Sequence, residues 1–265
     1  MVDGAPLVVV GGGSMGAAFV SGLLGSGRAP GTIAVSETAP SRRATLVKMF
    51  PAVSVHDDVP RCSEAIIAVK PADVPAACRA AVAAGAARVV SIAAGVRLAA
   101  LHEACGDGVR VVRAMPNTPA LVGLAATAMS TGHGCTDADR AWARELLSCV
   151  GSVIEVEEAK LDAFTGLVGS GPAYAFYVAE ALRDAAVAEG FDAETSAALV
   201  ARVMLGAAVL LDREPLNAKA LRARVTSPNG TTAAGIAALD ERRVRDAFVA
   251  AVRAATARSK ELGDA

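Results

Sequence analysis

A wholly aliphatic run, Leu7-Val8-Val9-Val10, stops at three consecutive glycines, and a fourth, Gly16, stands three residues later. No other feature restricts the fold as tightly. Aliphatic residues without polar alternation read as a strand buried on both faces. Gly11-Gly12-Gly13-Ser14-Met15-Gly16 fits G-x-G-x-x-G, and the residues from Ala17 to Leu24 continue it as a helix closed by Gly25 and Gly27. Between a strand and a helix such a loop has a defined use. Gly11 permits the tight turn, Gly13 lets the backbone approach a pyrophosphate, and Gly16 lets helix and strand pack closely. The first helical turn, with Ser14 and Met15, presents free N–H groups and partial positive charge to phosphates. The chain opens as a dinucleotide-binding unit.

The next hundred residues repeat this strand–helix grammar. Strand candidates at Thr32–Ser36, Val53–Val55, Ala65–Val69, Arg88–Ile92 and Val109–Arg113 alternate with helices at Ser41–Phe50, Val74–Ala84 and Leu98–Ala104. Ala125–Ser130 and Val153–Val156 add strands around a helix at Asp137–Leu147. This alternation predicts an α/β fold with a Rossmann-type doubly wound parallel sheet over residues 1–158. From about Lys160 no strand pattern returns. Ala173–Gly190, Asp192–Arg213 and Arg242–Leu262 read as long helices, so residues 159–265 form an all-helical domain. So thin an apolar helical layer buries little surface alone, and we expect it to dimerise.

The charge balance, 26 basic against 27 acidic residues, gives no footprint for nucleic acid or an anionic membrane. Charged residues or glycine interrupt every apolar stretch before about 18 residues. Five cysteines without a Cys-x-x-Cys pair read as reduced thiols of a cytoplasmic protein, and three scattered histidines suggest no metal site.

At the end of the second strand stand Ser36, Glu37 and Thr38. Glu37 lies 26 residues after Gly11, where an acidic residue binds the adenine ribose hydroxyls and favours NADH. Ser36, Thr38, Arg42 and Arg43 could instead hold a 2′-phosphate, which favours NADPH, or the two arginines could form a solvated helix face; we set NADPH slightly ahead of NADH. Further loops leave other strands: Ala68-Val69-Lys70-Pro71, Ser91-Ile92-Ala93-Ala94-Gly95 and Arg113-Ala114-Met115-Pro116-Asn117-Thr118-Pro119. Open α/β sheets place ligands at such carboxyl ends. The helical part contributes Gly169-Ser170-Gly171-Pro172-Ala173-Tyr174 and Thr226-Ser227-Pro228-Asn229-Gly230-Thr231-Thr232, small polar loops suited to a carboxylate.

These five blocks, in this order and over nearly the whole length, resemble the pyrroline-5-carboxylate reductase family. The resemblance implies NAD(P)H-dependent reduction of a cyclic imine to proline, the last step of proline biosynthesis, in homodimers that often build larger rings. It places the pyrophosphate on Gly11 to Gly16, the nicotinamide riboside along Ala68, Val69, Lys70 and Pro71, and the nicotinamide by Ala93, Gly95 and Asn117. Ser170, Ser227, Gly230, Thr231 and Thr232 would bind the substrate, with the Thr232 hydroxyl facing the imine nitrogen as the catalytic group. Val168, Ala223 and Asn229 depart from the family pattern, where Ser, an acidic residue and Gly are usual. Asn229 tolerates left-handed backbone and can keep the turn.

The blocks contain no histidine or carboxylate for general acid work. Either the imine arrives protonated or Thr232 relays a proton from water. A plainer use of Thr231 and Thr232 is to cap the adjoining helix. Two alternatives stand beside the main reading: a reductase of a related cyclic imino acid, and a dinucleotide-binding regulator without catalysis. A hydroxyacid dehydrogenase of similar plan would carry a lysine soon after the Gly-Ser-Gly loop, and none occurs between Gly171 and Lys219.

Overall fold

In the computed structural model, residues 6–215 and 217–264 are described. β1 (Leu7–Val10), α1 (Ser14–Gly25), β2 (Ile33–Ser36), α2 (Pro40–Met49) and β3 (Ser54–His56) form the first half of the sheet with its helices. β4 (Glu64–Ile67), α3 (Val74–Ala83), β5 (Arg88–Ser91), α4 (Leu98–Cys105) and β6 (Arg110–Met115) form the second. β7 (Ala125–Thr131), α5 (Asp137–Ser148) and β8 (Gly151–Glu155) complete an eight-stranded sheet of order β3-β2-β1-β4-β5-β6-β7-β8. The first six strands are parallel, in the 3-2-1-4-5-6 order of doubly wound dinucleotide folds. β7 departs from the expected parallel sheet, running antiparallel to β6. Residues 116–124 between them hold only a 3-10 turn, and a parallel connection needs a longer crossover.

Strand side chains alternate between two cores. Leu7, Val9, Val35, Ile66, Val90 and Val112 pack with Phe19 of α1, Leu46 of α2 and Leu147 of α5. Val8, Val10, Ile67, Val89 and Val111 pack with Cys78 of α3 and Leu101 of α4 on the other face. Both faces are covered, which is why these strands carry no polar alternation. The register aligns Ser36, Val10, Ile67, Ser91 and Arg113 in one row. The loops after β1, β2, β4, β5 and β6 therefore leave the same edge of the sheet. The order reverses between β1 and β4, the crevice that binds ligands in such sheets.

After β8 come α6 (Leu161–Phe164) and a π-helical turn, Thr165–Gly169, that periodicity does not predict. The chain continues through α7 (Gly171–Ala188), α8 (Ala193–Arg213), α9 (Ala218–Arg224), α10 (Thr231–Glu241) and α11 (Val244–Asp264). By compactness one unit is Met1–Ser170 with Ala254–Ala265, and the other is Gly171–Arg253. Within the first, the buried Ser259 hydroxyl donates to the buried Asp162 carboxylate at 2.7 Å, and Arg97 Nε donates to the Gly263 carbonyl at 3.0 Å. Within the second, α7 packs on α8. Phe176, Tyr177, Val203, Leu205, Leu210 and Leu211 of these two helices are more than half exposed in the single chain. α8 is also long and apolar enough, by length and composition alone, to cross a membrane.

Candidate functional site

The sheet's ladder runs on into the loops. Gly11 N–H donates to the Ser36 carbonyl at 2.8 Å, Ala68 N–H to Val10 at 2.8 Å, and Glu37 N–H to His56 at 2.9 Å. These bonds fix the exits of β1, β2 and β4 against one another. They bound a cleft of about 450 Å³ that brings together Gly11, Gly13, Ser36, Glu37, Thr38 and Ala68 to Lys70.

The glycines of the loop are required for different reasons. Gly11 has φ +99°, and a Cβ there would stand 2.6 Å from the Ala68 carbonyl oxygen. A Cβ on Gly16 would meet the Gly11 carbonyl oxygen at 2.0 Å. These two are demanded by the protein's own packing. Gly13 is not: its φ is −61°, and a Cβ there meets nothing within 4 Å. It is the N-cap of α1 and offers no side-chain cap, so the first-turn amides of Ser14, Met15 and Gly16 lack an intrahelical acceptor. Bare backbone at Gly13, open amides behind it and a concave cleft fit the pyrophosphate of a dinucleotide. Gly12, an unspecified position of the G-x-G-x-x-G pattern, is also constrained. A Cβ there would lie 2.3 Å from Leu46 Cδ1.

At the end of the cleft formed by the exit of β2 the polar groups are already engaged. Glu37 Oε2 accepts the Gly12 N–H at 2.9 Å and Oε1 accepts the Ala39 N–H at 2.8 Å. Arg42 donates from Nε to the Gly12 carbonyl and from Nη2 to the Gly13 carbonyl. Arg43 Nη1 donates to the carbonyls of Glu37 and Thr38 at 2.9 and 2.7 Å. Both arginines brace backbone, a role between the solvated face and the phosphate ligand read from sequence.

Farther along the edge, Gly95 holds φ +79° in the turn after β5, with Ala93 buried beside it. Arg113 is 4 % exposed and pairs through Nη1 with Glu158 Oε1 at 2.9 Å, which also accepts the Leu98 N–H at 2.7 Å. Glu158 lies in no motif, and no local pattern marks it. Asn117 is joined to the Ser170 segment through Val168.

In the second unit the Ser227–Thr232 turn is compact. Gly230 N–H donates to the Ser227 carbonyl at 3.1 Å, and a Cβ on Gly230 would lie 2.5 Å from Ser227 Oγ. Asn229 has φ +60°, so it does keep the turn that glycine keeps elsewhere. Gly230, not a threonine, is the N-cap of α10. Thr231 and Thr232 are the first two helical residues, and Ser227, Thr231 and Thr232 are exposed in the single chain. Their hydroxyls are thus released from the capping duty that was the plainer reading.

Comparison with known proteins extends both halves. Residues 158–262 match a family model described as pyrroline-5-carboxylate reductase dimerisation, and residues 6–95 match one described as NADP oxidoreductase, coenzyme F420-dependent. The chain is 39 % identical to pyrroline-5-carboxylate reductase of Mycobacterium tuberculosis over 97 % of each sequence. It is also 39 % identical to that of Synechocystis, over 97 % of this chain and 98 % of the relative. The structure of the Coxiella burnetii pyrroline-5-carboxylate reductase superposes with TM-score 0.90 at 31 % identity, covering 98 % of this chain and 99 % of that one. The Plasmodium falciparum pyrroline carboxylate reductase, solved with NADP bound, superposes with TM-score 0.85 at 26 % identity over 98 % of each chain. With a glycine cradle open at Gly13, a helical part matching the dimerisation region and full-length relatives at this identity, the chain belongs to the pyrroline-5-carboxylate reductase family.

Proposed function

We propose that this chain catalyses the NAD(P)H-dependent reduction of 1-pyrroline-5-carboxylate to L-proline. The observation that carries the reading is the cleft at the β1/β4 crevice, with open space where a side chain at Gly13 would stand, in a chain of this family. The dinucleotide supplies the hydride when bound; the protein supplies position. We assign cofactor binding to Gly11, Gly13, Ser14, Met15, Gly16, Ser36, Glu37, Ala68, Val69, Lys70, Pro71, Ala93 and Gly95, and place the loop that carries Asn117 at the nicotinamide end. Ser170, Ser227, Gly230 and Thr231 hold the imine and its carboxylate through backbone N–H and hydroxyl donors. The Thr232 hydroxyl faces the imine nitrogen. The proton that nitrogen keeps after reduction arrives with the substrate or from water through this hydroxyl.

Residues 1–158 serve the dinucleotide, and residues 159–265 serve substrate and dimerisation, a division supported by the start of the helical family match at residue 158. The exposed apolar faces of α7 and α8 are the surfaces a homodimer covers, and rings of such dimers in the cytoplasm, without membrane attachment, complete the reading. The decisive assay measures NADPH and NADH oxidation with 1-pyrroline-5-carboxylate, alongside pyrroline-2-carboxylate and six-membered imines. Turnover of the first substrate above the others supports the proposal. Oxidation of neither cofactor with it defeats the proposal.

A further inference from the structure

Asn117 comes directly after the Met115-Pro116 exit of β6, and its side chain is committed at both ends. Oδ1 accepts the Ala126 N–H at 3.0 Å, and Nδ2 donates to the Val168 carbonyl at 3.1 Å. The residue is 9 % exposed. The amide keeps one N–H and one lone pair beyond these two bonds, but turning it toward a ligand would break both and leave the Ala126 N–H without its acceptor.

Val168 belongs to the π-helical turn Thr165–Gly169, closed by the Ser170 N–H donating to the Thr165 carbonyl at 2.9 Å. Such turns carry one residue more than the α-helical ladder accommodates, recur at functional sites, and need support from outside. Here the support is the loop after β6. Besides the bond from Asn117, Met115 Cε closes on Gly169 so that a Cβ there would meet it at 3.1 Å. Two residues that flank Pro116 thus hold the two residues that precede Ser170. The bond from Asn117 uses the carbonyl of Val168, so valine serves it as well as the usual serine.

We propose that Asn117 is a positioning residue for the substrate, acting through the π turn on Ser170, and that its side-chain amide is not a ligand of the nicotinamide. What Ser170 positions rests on the imine-reductase reading above. Asn117→Asp keeps an acceptor for Ala126 and sets an oxygen against the Val168 carbonyl. Asn117→Ser removes the reach to Val168 in a smaller side chain. We expect hydrogen exchange across residues 165–171 to accelerate roughly tenfold in both unliganded variants. We expect the imine KM to rise about tenfold as well, with the NADPH Kd from fluorescence titration within about twofold of wild type. A cofactor Kd that rises with the KM makes Asn117 a direct ligand and overturns the proposal. So do unchanged exchange and KM, or loss of folding in both variants, which assigns the amide to stability alone. If wild type fails to turn over the imine, the functional reading falls, while exchange and cofactor affinity still decide the role of Asn117.

Discussion

Glu37 reaches from the end of β2 across the glycine loop to accept the backbone N–H of Gly12 at 2.9 Å. Arg42 takes the carbonyl of the same residue. Gly12 is held at both of its polar groups, and Leu46 fills the space a side chain would need. The acidic residue read from sequence as an adenosine ligand is therefore also the brace that shapes the glycine loop. Its charge and its hydrogen bond can be separated by mutation.

Glu37→Gln keeps an oxygen for Gly12 and removes the charge. We expect the ratio of NADPH to NADH affinity to move toward NADPH by about fivefold or more, because a 2′-phosphate no longer meets a carboxylate. Glu37→Ala also leaves the Gly12 and Ala39 amides without their acceptor and should weaken both cofactors by roughly tenfold. Fluorescence titration with each dinucleotide reads both effects. Equal ratios in wild type and Glu37→Gln would place the ribose away from this carboxylate.

The glycines predict opposite outcomes for one substitution. Gly13→Ala meets open space at a φ of −61°, and the lower entropy of its unfolded chain offsets alanine's poorer fit at an N-cap, so it should change the stability of the unliganded protein by less than about 1 kcal/mol while raising the cofactor Kd tenfold or more. Gly16→Ala drives a methyl into the Gly11 carbonyl and should cost about 1–3 kcal/mol or prevent folding. Thermal unfolding without ligand separates them. A destabilised Gly13→Ala protein with normal cofactor affinity would contradict the assignment.

The loop and its strand were legible because several demands fall on adjacent residues: a buried apolar run, a turn, and a helix packed at van der Waals distance. The parallel, doubly wound plan of the first six strands followed from alternation. The antiparallel β7 and the π turn did not. The first depends on how far residues 116–124 can carry the chain, and the second on a bond from Asn117 to a residue 51 positions away. Long-range polar pairs such as Arg113 with Glu158 and Asp162 with Ser259 leave no periodic trace, since any spacing in sequence serves them. Thr232 was identified by family resemblance. The structure added that Gly230 caps α10.

That cap makes the hydroxyl testable without a folding effect. Thr232→Ala should lower kcat/KM for the imine by roughly 10- to 100-fold while the unfolding temperature stays within about 1 °C. Thr232→Ser, which keeps the hydroxyl, should recover most of the activity. Full activity in the alanine variant would remove Thr232 from the chemistry.

Asp139 gives a pH dependence away from the site. The Thr136 hydroxyl and then Arg88 hold its carboxyl below the usual carboxylate range, and Arg110 lies 3.6 Å from it. Arg88 and Arg110 begin β5 and β6, at the sheet edge opposite the ligand loops. A carboxylate with a depressed folded pKa stabilises above the unfolded value of about 4, and this stabilisation is lost as pH falls through the folded value. Asp139→Asn should therefore unfold several degrees below wild type at pH 7, by loss of the Thr136 capping box and the ion pairs, with a gap that narrows below about pH 4. Turnover at pH 7 should not change. A gap independent of pH would mean that packing, not charge, is what the substitution disturbs.

α8 carries the sharpest test of assembly. Val203 is 60 % exposed in the single chain, on a helix apolar enough for a bilayer and inside the segment matching the dimerisation region. In the proposed dimer a second copy covers that face, and a carboxylate buried there without a partner costs several kcal/mol. Val203→Glu should shift the protein from dimer to monomer in light scattering, lower its unfolding temperature and abolish imine reduction, all without detergent present. The wild-type protein should remain a detergent-free dimer. A Val203→Glu protein that stays dimeric and active would place the interface on another face of the helical part.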